Sequence, residues 1–340
     1  MIGLDVGGTS TRAVLVDLAG ARLGTGRADG ANPTSHDPEA AAERLRCALD
    51  AALAGHDPAL VRAGVIGLAG DAKLTADPRA RRAFDDGWRA AGLRCPYTVV
   101  GDALVAYASA TAVPDGTVLI AGTGAIAAAV RGMRLVRAAD GHGWLLGDRG
   151  SGFWLGRRAV QAALAVLDGA VPDGPLARAV RAALLGASTT GRPTDGTPPA
   201  DTATCDAPTL VGDPRAVARD LVQVVNARPP VALAELAPIV LAAYDEDPVA
   251  HDLVTAAADH LVATADLVHT AGTPIVLAGG LLTADTPLAA AVRARIAQRW
   301  PAPAPLMAGD GAAAAAWLAA RDLPDVVDPA ALHTALLASP

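Results

Sequence analysis

One arrangement of strands and glycine turns occurs twice in this sequence of 340 residues. The apolar strand 2–6 ends in the turn GGTST, and the apolar strand 117–122 runs into the turn GTG. In each half a later strand ends in Gly-Asp before a small-residue helix, at 97–110 and again at 305–320. A duplicated α/β domain explains both repeats, and its two alanine-rich helices are expected to cross where the domains meet. The alternative is that both are ordinary alanine-rich helices.

The repeat predicts two domains, which also fits the chain length. We expect the first at 1–112 and the second at 113–309, with a helical insertion at about 151–270. A connecting helix at 310–322 then lies at the domain interface, followed by a C-terminal tail at 323–340. Apolar residues make up 52% of the chain and charged residues 19%, so a packed core can form.

Composition excludes several classes of protein. The net charge of -7 argues against a general nucleic-acid binder. Three widely separated cysteines, Cys47, Cys95 and Cys205, form no CxxC pair, which argues against a zinc or iron–sulfur site within one chain. The start MIGLDVGG has no secretion signal, and the apolar stretches are too short to span a bilayer. We therefore expect a cytoplasmic protein without a membrane partner. The sequence leaves the oligomeric state open, with a homodimer as one alternative.

The motif DVGGTST at 5–11 has the composition of a phosphate-binding turn. Its glycines permit a tight turn and close approach of a ligand to the backbone, whose N–H groups then face an anion. The strand-end carboxylate of Asp5 is a candidate ligand of Mg²⁺ through water. The candidate phosphate contacts are Gly7, Gly8, Thr9, Ser10 and Thr11. The alternative is a plain β-hairpin turn.

A second glycine turn, AGTGA at 121–125, has two interpretations. The run GTGAIA matches a dinucleotide-binding fingerprint, but that fingerprint needs a helix after the glycines. The following residues are better described as two short strands turning at Arg131-Gly132. We therefore favour a phosphate-binding hairpin over a dinucleotide site. A P-loop is excluded because no GxxxxGK[ST] motif occurs.

Three further segments hold candidate site residues. Asp102 stands between a strand and a helix, where it can cap the helix, act as a general base for a substrate hydroxyl, or do both. The glycine-rich run 141–156 offers Asp148 and an aromatic wall to a sugar, unless it is only a structural turn. In LAGGLL at 277–282, Gly279 and Gly280 either lie under an adenine or ribose or form a tight connection. Residues 187–209 are interpreted as a flexible surface loop or lid.

Five motifs, in this order along the chain, resemble those of the N-acetylglucosamine kinase and benzoyl-CoA-reductase-activator ATPases of the actin-like ATPase superfamily. They are DVGGTST, GDA, GTGA, GWLLGDRGSGFWLG and LAGGL. The resemblance covers about 1–165 and 235–322, and within the family it is strongest to glucosamine kinases of GC-rich actinobacteria. It implies two actin-like, ribonuclease-H-like domains with mixed five-stranded sheets that close over ATP and a sugar. It also implies a kinase that phosphorylates the 6-hydroxyl of D-glucosamine, with N-acetylglucosamine as the alternative acceptor.

The resemblance also assigns roles to matching residues. Asp102 is the base for the sugar hydroxyl, and Asn32 and Asp148 bind the sugar, with Gly124 beside it. Mg²⁺ is held by Asp5, Ser10 and Asp102. The ATP contacts are Gly7, Gly8, Thr9, Ser10, Thr11, Gly122, Thr123, Gly124, Gly279 and Gly280. The chain departs from the family at Arg149, where an acidic residue is usual, and at 187–209.

The sequence also bears on three functions other than sugar phosphorylation. A reductase-activating ATPase needs cysteines for an iron–sulfur cluster, and the cysteine spacing here is unsuitable. A sugar-responsive regulator needs a DNA-binding domain ahead of the first phosphate turn, which begins at residue 5. A non-catalytic actin-like scaffold is the last alternative. Asp195, Asp201 and Asp206 are candidate acceptors for a sugar ammonium group, or else part of a solvated acidic loop.

Overall fold

The computed structural model describes residues 1–33, 35–186 and 213–338. The loop predicted at 187–209, with Asp195, Asp201 and Asp206, lies outside the described residues. Within the described part, two five-stranded sheets carry the fold.

The first sheet has the strand order β3-β2-β1-β4-β5. The strands β1 and β2 form an antiparallel hairpin, β2 and β3 continue it, and β4 and β5 run parallel to β1. These strands are β1 (Ile2–Val6), β2 (Ser10–Val16), β3 (Arg22–Asp29), β4 (Gly64–Leu68) and β5 (Tyr97–Gly101).

The second sheet repeats this topology, with the order β10-β9-β6-β7-β8. Strands β6, β7 and β8 form the antiparallel meander, and β9 and β10 add in parallel beside β6. These strands are β6 (Gly116–Ala121), β7 (Ala125–Arg131), β8 (Arg134–Asp140), β9 (Ile275–Ala278) and β10 (Leu306–Met307). The equal order confirms the duplicated mixed α/β domain that the sequence predicts.

Helices cover the outer faces of both sheets. The first sheet carries α1 (Pro38–Leu53), α2 (Asp71–Ala76) and α3 (Pro78–Ala90), whereas α4 (Asp102–Ala108) follows β5 and lies between the two sheets. The predicted insertion contains α5 (Gly152–Leu167), α6 (Pro175–Leu185), α7 (Pro214–Asn226), α8 (Ala237–Ala242) and α9 (Pro248–Asp266). The remaining helices are α10 (Gly280–Thr283), α11 (Pro287–Arg299), α12 (Gly311–Ala320) and α13 (Pro329–Ala338). Short 3₁₀ turns occur at Pro58–Leu60 and Pro230–Leu236.

Local sequence explains where several helices begin. An aspartate followed directly by proline starts α1, α3, α7 and α9, and in each the carboxylate accepts a hydrogen bond from a first-turn N–H. Proline at the first helical position has a suitable φ and no N–H to leave unpaired. The carboxylate satisfies one of the free donors and complements the helix dipole. The same pair precedes α13, where Asp328 Oδ1 accepts from the N–H groups of Ala330 and Ala331, each at 3.0 Å. This Asp-Pro signal therefore fixes the entry of five helices independently of tertiary contacts.

The two alanine-rich helices cross between the sheets, as predicted. Helix α12 packs on β1, β2 and β4 of the first sheet, and α4 packs on β6 and β9 of the second. Gly3 in β1 makes the closest approach: a Cβ there would lie 2.0 Å from the backbone nitrogen of Ala316. Glycine at position 3 and alanines along α12 therefore let this helix lie directly on the sheet.

The segment predicted as a C-terminal tail includes the helix α13, which braces this crossing. The indole N–H of Trp317 donates to the Pro329 carbonyl oxygen at 2.7 Å, and His333 Nε2 lies 2.7 Å from the Ala108 carbonyl oxygen. Leu332 and Leu336 are buried in the same core as α4 and α12. The C-terminal helix therefore connects both crossing helices.

One observation bears on membranes. Within residues 1–33, 35–186 and 213–338, no single helix has the length and hydropathy to cross a bilayer. One pair, Pro214–Asn226 with Pro230–Ala242, passes that test jointly but is bent by 114°.

Candidate functional site

Both sheets place their glycine turns at the carboxyl ends of their parallel strands. Val6, Leu68 and Gly101 form one row across β1, β4 and β5, so the turn after β1 and Asp102 after β5 share an edge. In the second sheet Ile120 pairs with Ala278, which puts the turn at 122–124 beside the residues that follow β9. Ligands of open α/β sheets bind at such carboxyl edges. The predicted site residues are therefore distributed over two matching edges.

The first turn is shaped by backbone contacts. The Gly7 N–H donates to the Ser10 carbonyl oxygen at 3.0 Å, and His36 Nε2 lies 2.9 Å from the Gly8 carbonyl oxygen. Gly30 packs directly under the turn, where a Cβ would come within 2.0 Å of the same Gly8 oxygen. The turn is thus held from below while Gly8, Thr9 and Ser10 are exposed.

The structure separates the three hydroxyls of this motif. Thr11 is buried, and its hydroxyl donates to the Asp29 carbonyl oxygen at 2.9 Å, which joins β2 to β3. Thr9 and Ser10 are exposed on the turn. Thr11 therefore supports the hairpin, and Thr9 and Ser10 are the hydroxyls open to a ligand.

Asp5 stands in an acidic environment at the domain interface. It is paired in register with Arg12, and the first residue of α12 packs on it: a Cβ on Gly311 would lie 2.8 Å from Asp5 Oδ2. Burial raises the pKa of Asp5; the Arg12 charge opposes this, and the charges of Asp102 and Asp310 add to it. A cation near Asp5 would relieve this accumulation of negative charge.

Asp102 is the first residue of α4, and Gly101 occupies the N-cap position. Among the described residues its Oδ1 accepts a hydrogen bond only from the adjacent Ala103 N–H, at 2.9 Å. Partial burial raises the pKa of Asp102, and the nearby charge of Asp71 adds to the rise. The helix-capping alternative is thus not what the structure shows, and a half-buried carboxyl at a sheet edge is suited to exchange a proton with a ligand.

The equivalent residue in the second domain has a different role. Asp310 is the N-cap of α12, where Oδ1 accepts from the N–H groups of Ala312 and Ala313 at 3.0 and 3.2 Å. Its Oδ2 accepts from Arg22 Nη1 at 2.6 Å, an ion pair between the two halves of the chain. Asp310 is thus committed to structure by three partners, whereas Asp102 keeps one carboxylate oxygen without a hydrogen bond from the described residues.

The second turn, 122–124, leads into the strand β7 and not into a helix. The dinucleotide alternative is therefore wrong, because its fingerprint requires a helix at this point. The Gly122 N–H donates to the Gly124 carbonyl oxygen at 2.9 Å, and the Gly122 and Thr123 carbonyl oxygens accept from the start of α5 at 2.8 and 3.1 Å. The turn is a hairpin anchored to the following loop.

That loop, 141–151, carries Asp148 to the turn. Asp148 is buried and has φ of 57°, and its Oδ1 accepts from the Ala125 N–H at 3.1 Å. A Cβ on Gly124 would lie 2.9 Å from the same oxygen. Burial raises the pKa of Asp148, the Ala125 N–H lowers it, and the charge of Asp140 raises it further. The structure therefore brings Asp148 and Gly124 together, as the sequence-based assignment requires.

The loop also presents aromatic and aliphatic side chains to solvent. Trp144 packs on Phe153 with ring centroids 5.7 Å apart. Trp144, Leu145 and Leu146 are exposed, the two leucines by 71% and 80%. An exposed apolar tip beside a polar site is typical of a ligand-contacting surface.

The remaining predicted residues lie at the edges of this site. Gly279 has φ of 83°, and a Cβ there would lie 2.3 Å from the Ala121 carbonyl oxygen, so only glycine fits. A Cβ on Gly280 would meet no atom within 4 Å. Asn32 is buried, and its Nδ2 donates to the Ala69 carbonyl oxygen at 3.0 Å, which ties the loop after β3 to β4.

The donor set fits a magnesium ion that also contacts phosphates. Mg²⁺ in nucleotide sites is bound through one or two carboxylates together with substrate phosphates. Among the described residues no group of three or more His, Cys, Asp and Glu side chains is arranged to hold a metal. Asp5 and Asp102, with the exposed Ser10 hydroxyl, are the residues that would hold the ion.

Sequence reasoning missed three acidic residues of this region. Asp71, at the start of α2, raises the pKa of Asp102. Asp140 accepts hydrogen bonds from the loop that carries Asp148. Asp310 pairs with Arg22 at the interface. The repeated Gly-Asp sequence was the only available signal for Asp310, and the other two depend on long-range contacts.

Fold and topology define a two-domain actin-like ATPase. Residues 2–316 match the BadF/BadG/BcrA/BcrD ATPase family, which confirms the resemblance noted in the sequence. The chain belongs to this family. A search of curated proteins found no match.

Solved structures share the fold over nearly the whole chain. A candidate N-acetylglucosamine kinase from Chromobacterium violaceum is 26% identical, with a TM-score of 0.69 over 92% of this chain and 96% of that one. A second candidate N-acetylglucosamine kinase, from Porphyromonas gingivalis, is 21% identical, with a TM-score of 0.61 over 88% and 91%. A ROK family glucokinase from Streptomyces griseus, in complex with glucose and AMPPNP, is 22% identical, with a TM-score of 0.51 over 94% and 99%.

Proposed function

We propose that this protein is an ATP-dependent sugar kinase that phosphorylates the 6-hydroxyl of an amino sugar. The observation that carries the proposal is Asp102, a half-buried carboxyl at the carboxyl edge of the first sheet with one oxygen free of hydrogen bonds from the described residues. The similarity to a candidate N-acetylglucosamine kinase supports the choice of a sugar as acceptor.

The proposed reaction assigns a role to each turn. The backbone N–H groups of the turns at 7–9 and 122–124 bind the phosphates of ATP from the two domains. The free oxygen of Asp102 takes the proton from the sugar 6-hydroxyl, whose oxygen attacks the γ-phosphorus. The bond from that phosphorus to the bridging oxygen breaks, and ADP leaves. Bound Mg²⁺, held by Asp5, Ser10 and Asp102, would neutralise charge on the phosphates. Gly279 and Gly280 would lie beside the adenosine.

The sugar is proposed to bind between Asp148 and Asn32, and D-glucosamine is the acceptor we propose first. A free amine is protonated near neutral pH and needs carboxylates around it. Asp148 is buried and Asp5 and Asp102 are half-buried; all three carboxyls have raised pKa values, and a bound ammonium group would stabilise their charged forms.

N-acetylglucosamine is the second candidate, and a separate observation favours it. An acetamide group needs an apolar contact for its methyl group. The exposed tip of Trp144, Leu145 and Leu146 lies on the loop that carries Asp148. The names of two solved structures that share the fold point to the same acceptor for those proteins.

A steady-state comparison of three sugars tests both levels of the proposal. We would measure kcat/KM for D-glucosamine, N-acetylglucosamine and D-glucose at fixed Mg·ATP and locate the phosphate by ³¹P NMR. Phosphorylation at O6 with an amino sugar preferred supports the proposal, and the order of the two amino sugars decides between the acceptors. Absence of ATP-dependent phosphorylation of all three would refute the kinase proposal.

A reductase-activating ATPase is the proposal from a different class. Such a protein would hold an iron–sulfur cluster through cysteines. Cys47 is exposed on α1 and Cys95 lies before β5, and Cys205 lies outside the described residues. Iron and sulfide analysis of protein purified without oxygen, together with sugar-independent ATPase activity, would support it over the kinase.

A further inference from the structure

Asp140 ends β8 with its carboxylate directed at the loop that follows. It accepts a hydrogen bond from the Asp148 N–H at 2.7 Å through Oδ1 and one from the Arg149 N–H at 3.0 Å through Oδ2. A Cβ on Gly147 would lie 2.2 Å from Oδ1, so the approach requires glycine there. Asp140 itself has φ of 61°, which is uncommon outside glycine. Both carboxylate oxygens are thus committed to one short segment of backbone.

The segment held in this way is the one that presents Asp148. Asp148 also has a positive φ, of 57°, a conformation that costs free energy unless surrounding contacts impose it. The two hydrogen bonds that the Asp140 carboxylate accepts, from the N–H groups of Asp148 and Arg149, provide such contacts on the backbone, and the Ala125 N–H donates to the Asp148 side chain at 3.1 Å. The backbone of Asp148 is therefore fixed from the strand β8 and its side chain from the strand β7.

The same loop is attached to the turn at 122–124. The Gly141 N–H donates to the Ala125 carbonyl oxygen at 3.0 Å, and the Gly152 N–H donates to the Gly122 carbonyl oxygen at 2.8 Å. Each end of the loop is thereby joined to one side of the glycine turn. These end contacts do not involve Asp148 itself. A displacement of the loop centre would therefore move the Asp148 side chain.

We infer that Asp140 is a positioning residue for sugar phosphorylation: its carboxylate holds Asp148 in the orientation that binds the sugar. This inference rests on the proposed function. Asp140 contacts neither substrate, and its effect is exerted through the Asp148 and Arg149 backbone. Loss of Asp140 therefore acts on sugar binding, while the phosphate turn keeps its own hydrogen bonds.

The chain offers a matched control at the opposite end of the same hairpin. Asp115 Oδ1 accepts from the Gly132 N–H at 2.8 Å, which is the same kind of carboxylate-to-backbone contact remote from Asp148. In Asp140→Asn one N–H loses its acceptor and meets an amide donor, whereas Asp140→Ala removes both acceptors. Asp115→Asn makes the same carboxylate-to-amide substitution away from the site, and its amide oxygen can still accept the one Gly132 bond.

The test combines kinetics with amide hydrogen exchange. For Asp140→Asn we expect the KM for the sugar to rise about 10-fold and the KM for ATP less than about threefold, since a lost hydrogen bond to a charged group is worth about one order of magnitude. Asp140→Ala should show a larger sugar effect. Exchange in peptides covering 141–152 should be faster in both variants and unchanged in Asp115→Asn.

Two results would overturn the inference. One is an unchanged sugar KM in both Asp140 variants, and the other is exchange at 141–152 no faster than in Asp115→Asn. If the wild-type protein phosphorylates no sugar, the proposed function fails, and a positioning role in that reaction fails with it. The exchange measurement still reports separately whether Asp140 holds the loop.

Discussion

Two glycines of the same turn are expected to respond differently to alanine. A Cβ on Gly124 would lie 2.9 Å from Asp148 Oδ1 and 3.1 Å from its Cγ, whereas a Cβ on Gly122 would meet no atom within 4 Å. Carbon and oxygen atoms rarely approach below about 3.4 Å, so Gly124→Ala pushes the carboxylate away by roughly half an ångström. Because the Asp148 bond to the Ala125 N–H is already 3.1 Å long, this displacement breaks it.

The size of the effect follows from that bond. A hydrogen bond to a charged group contributes about 1.5–3 kcal/mol. At about 1.4 kcal/mol per factor of ten, Gly124→Ala should raise the KM for the sugar about 10- to 100-fold. Gly122→Ala should leave the sugar KM within about twofold, since its Cβ displaces no protein atom.

Steady-state kinetics of both variants with the sugar varied at saturating Mg·ATP provide the assay, and thermal unfolding confirms that both are folded. The KM for ATP is measured in parallel, because both residues belong to the proposed phosphate turn. Equal sugar KM values in the two variants would refute the reasoning, because the contact between position 124 and Asp148 would then not be the cause of weaker sugar binding.

Further perturbations test the interface and the electrostatics. Gly3→Ala should destabilise the protein by about 1–3 kcal/mol in urea unfolding, because its Cβ would lie 2.0 Å from a backbone atom of α12; Gly280→Ala, with an open Cβ position, should not. Trp317→Phe should cost about 1 kcal/mol by loss of the bond to the Pro329 carbonyl oxygen, measured in the same way. Asp102→Asn should raise Tm at pH 8, because burial raises the folded-state pKa of Asp102 and its ionised form opposes folding. This gain should shrink as pH falls towards that pKa, and a constant or negative Tm difference would contradict it.

The repeated topology could be predicted because it depends on local signals. Alternating apolar residues and glycine turns define β1–β2 and β6–β7, and both pairings occur as expected. The choice of hairpin over dinucleotide site at 122–124 was also correct, since the strand β7 follows the turn and pairs with both β6 and β8.

Long-range contacts decided what the sequence could not predict. The two Gly-Asp motifs have the same sequence, yet Asp102 is the first helical residue and Asp310 is a cap bound to Arg22. The helix α13 lies in the segment predicted as a C-terminal tail, and its burial depends on contacts with Trp317 and Ala108. The role of Asp140 depends on a contact with Asp148 across a turn. Residue types alone do not report such contacts.

The pH profile of kcat/KM tests the raised pKa of Asp102. Burial, with the Asp71 charge adding to it, raises the pKa of Asp102, so its active ionised form is lost at a pH above the range of ordinary aspartates. The acid limb of the profile should therefore lie above about 3.9, the usual aspartate pKa, and bound Mg²⁺ should shift it downwards. A profile flat down to that value would contradict this assignment.

The proposed base, Asp102, is tested most directly by one comparison. The kcat of Asp102→Asn is measured against the wild-type protein with Mg·ATP and the better amino sugar, and ATP binding and thermal unfolding are recorded for both. We expect a loss of about 10²- to 10⁴-fold in kcat, the usual contribution of a general base, with ATP binding and folding retained. A folded variant that keeps more than about a tenth of the wild-type kcat would contradict the account, because a base cannot be replaced by an amide that accepts no proton.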